Sequence, residues 1–182
     1  MLKWLAHRFL RRMERRFDYD ASYAHELLDA SFPAFRRFMK MQMTGGGWRA
    51  DAPRDAWLAA GIAGALVEDC GPCVQIASDM AVESGMSGEI IKALLSGAPT
   101  DPDAQLGFDY GRALLHGSTN LNQLREQIET RWGKRALIAL SLRAMSGRNF
   151  PIMKRAMGHA KTCQRVRIGN IHVAVSQMLK SA

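Results

Sequence analysis

Cysteine is scarce in this chain: three in 182 residues, an odd number and too few to staple a secreted disulfide scaffold. A long apolar run is missing as well. The longest, Trp57 to Val67, has eleven residues, short of the roughly 20 that a bilayer-crossing helix needs. Nor does the N-terminus hold an unbroken apolar stretch, because Lys3, Arg8, Arg11 and Arg12 interrupt what a secretory leader would keep continuous. A cytoplasmic protein is therefore expected, with a membrane role unlooked for. Hydrophobicity of period two is absent until the last twenty residues, and there is no internal repeat or low-complexity tract.

What is present can build a core. Hydrophobic residues make up 47% and charged residues 23%, which is a globular composition rather than a disordered one. The length suits one domain, or one domain with a helical extension. The net charge is +8, and residues 1–17 hold six lysines and arginines against Glu14 alone. Such a balance attracts nucleic acid, anionic lipid or acidic partners without choosing among them. No nucleic-acid-binding motif accompanies it, so no nucleic-acid partner is expected.

The chain is organised around Glu68-Asp69-Cys70-Gly71-Pro72-Cys73. Gly-Pro ends an incoming helix, and Pro72 suits the first turn of a new one running from Val74 to Glu83, stopped by Gly85. Cys73 then lies near unpaired backbone N–H groups at the positive end of the helix dipole. That setting favours the reactive thiolate. Cys70, one turn away, is within the Cα range a disulfide tolerates. A thiol–disulfide redox site is the leading expectation. Zinc is the rival ligand, but a single Cys-x-x-Cys with no neighbouring histidine falls short of four ligands. Two buried structural cysteines are the bland alternative.

The rest of the chain reads as helices. Leu2, Leu5, Phe9, Met13 and Phe17 recur at spacings of three and four with arginines between, an amphipathic helix that packs on the body, a neighbouring subunit or a membrane surface. Ser22 is placed to cap a second helix, and Ser31-Phe32-Pro33 restarts a third, with Phe35, Phe38, Met39 and Met43 on its apolar side. Thr44–Gly47 is expected to be a flexible break, dividing a helical extension (1–47) from the main domain (48–182). Asp51-Ala52-Pro53 opens a helix, apolar on most faces, that leads to Glu68. Ser87 and Asp101 cap the next two, which Gly97 and Gly117 close. Asn120 and Gln123 have capping-box spacing for a helix ending near Trp132-Gly133. A helix from Lys134 closes at Gly147, and Pro151 opens a short one. Val166–Ile168 and Ile171–Val175 alternate as strands do, but their helical company makes helix the expectation there too. The predicted fold class is all-α, with about eight to ten short helices.

With that register in place, Cys70 to Gly97 (CGPCVQIASDMAVESGMSGEIIKALLSG) resembles the signature of the carboxymuconolactone decarboxylase / alkylhydroperoxidase D superfamily. The shared pattern is a buried helix, Cys-x-x-Cys opening the next, a Gly-Met-Ser turn, then a short helix ending at Gly. The resemblance covers roughly residues 53–158. It implies an alkylhydroperoxidase D-like helical domain that assembles as a homo-oligomer (dimer, trimer or hexamer). It also implies a cofactor-free peroxidase or disulfide reductase, in which Cys73 attacks, Cys70 resolves and an external thiol reductant recycles the pair. Two positions depart from the family. A histidine often found four residues after the second cysteine is Ala77 here, and a glutamate about twelve before the first is Leu58. Glu68 is then the candidate general base.

Other readings stay beside this one. Cys-Gly-Pro-Cys is also the thioredoxin tetrapeptide, but thioredoxin needs flanking strands. A helical oligomeric scaffold that keeps the fold without the chemistry is the second function. Cys163 lies in a basic setting and is expected to be a lone, part-buried thiol. His116 fits a helix C-terminus, His25, His159 and His172 match no catalytic spacing, and Asp79 is expected to be solvated.

Overall fold

The computed structural model describes residues 2–159, 165–168 and 171–174. Among them the elements are α1 (Leu2–Phe17), α2 (Ser22–Ala30), α3 (Phe32–Gly46), α4 (Arg54–Val67), α5 (Gly71–Glu83), α6 (Gly88–Ser96), α7 (Pro102–His116), α8 (Leu121–Ala156), β1 (Arg165–Ile168) and β2 (Ile171–Ala174). The chain is helical, with one small hairpin. No described helix is long and apolar enough to cross a membrane.

Helix α4 lies at the centre. Every residue from Leu58 to Leu66 is buried, and most are alanine or glycine. Small side chains let α7 and α8 approach its backbone directly. A Cβ on Gly107 would overlap the carbonyl of Ala56, one on Gly64 that of Ala144, and one on Gly147 that of Gly61. One core layer, with Leu58, Ile62, Leu66, Val74, Ile91, Leu95 and Phe108, joins α4 to α5, α6 and α7. A second, with Leu106, Tyr110, Ile128 and Leu140, joins it to α7 and α8.

Helices α1–α3 form a third layer, around Leu10, Tyr19, Tyr23, Leu28 and Phe35, which reaches Ile76 of α5 and Phe150 and Met153 of α8. Polar pairs fix α1. Lys3 and His7 both meet Asp29 at 3.0 Å. The His7 ring stacks on His25, their Nδ1 atoms 2.7 Å apart. His25 reaches Glu14, and Arg16 forms a two-pronged pair with Glu83 of α5 at 2.8 Å. The packed face of α1 is Leu10 with Ala6, Met13 and Phe17, whereas Leu2, Leu5 and Phe9 are exposed. The apolar stripe read from spacing is thus rotated: only its C-terminal half is covered.

Several expected boundaries move. Thr44, Gly45 and Gly46 continue α3 rather than breaking it, because a side chain on Gly46 would overlap Ser146 and the glycine lets α3 lie against α8. Gly147 and Pro151 likewise sit inside α8. Gly147 serves the close approach to α4, and Pro151 gives up one helical bond but is buried. The expected stop at Gly133 survives as a non-helical residue, φ 79°, within α8. Ser22 does not cap α2; its backbone N–H and hydroxyl both donate to Asp20. Asn120 makes no side-chain cap. Ser87 and Asp101 cap as expected, and Ser31, at the expected restart, caps α3 as well.

The expected C-terminal helix is an antiparallel hairpin, registered Arg165↔Ala174 to Ile168↔Ile171. Val166 is fully buried against the α4–α6 core. The Gln75 side chain of α5 satisfies Arg167's backbone in both directions, donating to its carbonyl at 2.8 Å and accepting from its N–H at 2.6 Å. This amide takes the place of a third strand and makes the extended conformation self-consistent.

The close approach has a direct test. Gly107→Ala forces a methyl into the Ala56 carbonyl and is expected to destabilise the fold by about 1–3 kcal/mol, read from urea unfolding midpoints. An unchanged midpoint would contradict backbone-level packing of α7 on α4.

Candidate redox site

The site forms where α4 hands over to α5. After Val67 the chain must reverse, and Asp69 adopts a left-handed conformation, φ 51°, to do so. Cys70 then takes the N-cap position of α5, its carbonyl accepting from the N–H groups of Cys73 and Val74 at 2.9 Å each. Gly71 and Pro72 fill the first turn, as the sequence predicts. Cys70 and Cys73 are joined as a disulfide, their Cα atoms 5.2 Å apart.

The two sulfurs face different surroundings. Cys73 is 3% exposed and belongs to the α4–α6 core, whereas Cys70 is only partly buried. Cys73 also borders a chamber of about 120 Å³ whose other walls include Met13, Tyr19, Ala65, Ile76, Ala77 and Phe150. Most of its wall comes from α4, α5 and α8, and Met13, Tyr19 and Tyr23 of the N-terminal segment complete it.

Glu68 is brought close to the disulfide in sequence but is engaged elsewhere. Its side chain is 6% exposed and paired with two arginines of α8: Arg148 Nε donates to one carboxylate oxygen at 2.7 Å, and Arg155 donates to the other. Burial alone would raise its pKa. The hydrogen bonds and charges of Arg155 and Arg148 outweigh that and hold it below the ordinary value. A carboxylate so stabilised is a weak base, and its evident work is to anchor the α4–α5 turn to α8. The family's two relay positions are apolar in space as in sequence, Leu58 being buried in the core and Ala77 lining the chamber.

The residue that spacing did not reveal is Tyr19. Its hydroxyl lies 4.0 Å from Cys73 Sγ. Burial pushes its pKa up, partly offset by a hydrogen bond with Tyr23, and burial raises Tyr23 as well. Both phenols are therefore neutral at neutral pH and able to donate. The ammonium of Lys154 sits 4.9 Å from the Tyr19 ring and 5.8 Å from that of Tyr23, and it donates to the Asp20 carbonyl at 3.3 Å. Fifty-four positions separate Tyr19 from Cys73, so no local motif joins them.

Other candidates fall away from the sulfurs. His25 stacks on His7, His159 pairs with Glu26 at 2.7 Å, and His116 ends α7. Asp79 is half-buried, not solvated; burial raises its pKa, and Gln75 donates to it at 2.9 Å. Cys163 and the side chain of His172 lie outside the described residues. Among the described residues no group of three or more His, Cys, Asp or Glu is arranged to hold a metal.

The anchoring role of Glu68 has a pH signature. Its folded pKa lies below the unfolded one, so its stabilisation is complete above the ordinary value of 4.5 and is lost as pH falls through the lowered folded value. Glu68→Gln is expected to cost about 1–3 kcal/mol at neutral pH and to flatten the acid limb of the stability curve. An unchanged acid limb would show that the arginine pair does not hold the turn. In comparisons with known proteins, the chain matches no protein-family model, no curated protein and no solved structure.

Proposed function

We propose that the protein is a thiol-dependent redox enzyme, a divergent member of the alkylhydroperoxidase D-like group, that reduces a peroxide or disulfide through Cys70 and Cys73. The observation that carries this reading is the division of the pair: one bonded sulfur, almost fully buried, borders a small apolar chamber and the other lies nearer solvent. A small oxidant reaches Cys73 from the chamber, and a reductant reaches Cys70 from outside.

The chemistry balances without a cofactor. The Cys73 thiolate attacks the distal oxygen of a hydroperoxide, forming S–O as O–O breaks, and the leaving oxygen takes up a proton to depart as the alcohol. Tyr19, neutral and beside the sulfur, is placed to supply that proton and is reprotonated from solvent. Cys70 then attacks the sulfenic acid, releasing water and closing the disulfide. Two equivalents of an external thiol reopen it by exchange, entering at Cys70 with Cys73 as the leaving thiolate. The N–H groups of Cys73 and Val74 are taken by the Cys70 carbonyl, so it is the positive end of the α5 dipole that stabilises that thiolate. On this account Glu68 is replaced as proton-transfer group by Tyr19. Assembly into a homo-oligomer is part of the proposal through the resemblance.

A helical scaffold without activity is the second reading, favoured by the apolar side chains at positions 58 and 77. Hydroperoxide consumption with a dithiol reductant separates the two. Cys73→Ser is expected to abolish turnover, and Cys70→Ser to stop after a single equivalent with the sulfenic acid trappable. Tyr19→Phe should slow the first turnover by about tenfold or more while leaving its stoichiometry intact. Equal rates in wild type and both serine variants would leave only the scaffold.

A further inference from the structure

The redox reading leaves one side chain of the chamber unused. Arg143, on α8, is deeply packed, and burial lowers its pKa to about 10, which still leaves it a cation at neutral pH. Its guanidinium lies over the Trp57 ring at 4.2 Å and makes one long bond, 3.4 Å, to the Gly46 carbonyl. Its Nε has no acceptor among the described residues, and neither does the buried indole N–H of Trp57 beneath it. Glu68, by contrast, is matched by two arginines, and Lys154 by the Asp20 carbonyl. A positive charge and two unmet donors thus lie side by side, with Arg143 bordering a chamber whose walls are largely apolar. Buried charge is normally paired, and among the described residues no carboxylate forms a salt bridge with Arg143.

The position of Arg143 gives this meaning. Along with Met13 and Met80 it borders both the inner chamber and a wider cleft of about 570 Å³, whose rim carries Arg12 and Arg16. Arg143 therefore stands at the throat between solvent and Cys73. The inner chamber, about 120 Å³, is close to the size that accepts a benzene ring (about 150 Å³). It has room for a short apolar segment and none for a peptide disulfide.

We propose that the throat is a carboxylate subsite, and that the oxidant reduced at Cys73 is a small organic hydroperoxide bearing a carboxylate. Its carboxylate pairs with the Arg143 guanidinium, and its apolar segment lies against Ala65, Ile76 and Phe150. The hydroperoxide end reaches Cys73, where the electrons and protons move as described above. The identity of the reaction rests on the redox reading, but the binding of the acid does not.

Calorimetry on the full-length oxidised protein with hexanoate and hexan-1-ol tests the subsite without turnover. Hexanoate is expected to bind at least about tenfold more tightly than the alcohol, because a charge-assisted bond to a buried guanidinium replaces a neutral one. Arg143→Gln should bring the two level, and Arg143→Lys should keep part of the preference. Equal binding of acid and alcohol to the wild type would overturn the subsite, a result that does not depend on any variant folding. A preference that survives in Arg143→Gln would overturn it as well. Carboxylate preference without hydroperoxide turnover would sink the redox reading and leave the subsite standing; turnover with no preference would do the reverse.

Discussion

The approach of three helix backbones to one another, with almost no side chain between them, is the constraint on which this structure depends. Helix α4 is built of alanine and glycine because Gly107 of α7 and Gly147 of α8 press against its carbonyl groups, and its own Gly64 takes the Ala144 carbonyl of α8. A helix so enclosed has no solvent-facing side and little freedom to shift. Its C-terminal end is consequently a fixed point, and the disulfide turn starts there. Glu68 completes the fixation by tying that turn to Arg148 and Arg155 of α8. The geometry of the two sulfurs is thus set by packing and by one buried carboxylate held by two arginines.

The segment before residue 48 is part of the same construction. Tyr19 and Met13 line the chamber, and Gly46 brings α3 onto α8 beside Arg143. In the proposed chemistry the proton-transfer group, Tyr19, comes from a distant part of the chain rather than from α4 or α5. A neutral phenol can give a proton and stabilise a thiolate, but it does not remove the thiol proton as histidine does. The proposed chemistry accordingly leans on the N-terminus of α5 for the thiolate and on Tyr19 for the leaving oxygen.

Much of this was legible in the sequence. The Gly-Pro pair, the caps at Ser31, Ser87 and Asp101, and the left-handed glycines 97 and 117 act through a few neighbouring residues, so local pattern locates them. Glycines 46 and 147 misled because the same residue serves both as a helix stop and as a space for a neighbouring backbone. Only the tertiary partner decides which. The hairpin is hidden from local pattern for a similar reason, since Gln75, ninety-two positions from Arg167, completes its hydrogen bonding. Glu68 was visible as a carboxylate near two thiols, but its arginine partners lie on α8. Tyr19 and Arg143 carry no sequence signal as site residues; the role proposed for each follows from what folding places beside it.

The central claim is that Cys70 and Cys73 exchange electrons reversibly in the folded protein. Equilibration in a graded series of oxidised and reduced dithiothreitol, followed by acid quench, thiol alkylation and mass spectrometry, measures this directly. The account predicts that the two cysteines convert together, in both directions, with the helical circular dichroism unchanged. Loss of the fold on reduction, or failure of the pair to reoxidise to a Cys70–Cys73 bond, would contradict it and make the disulfide a structural clasp.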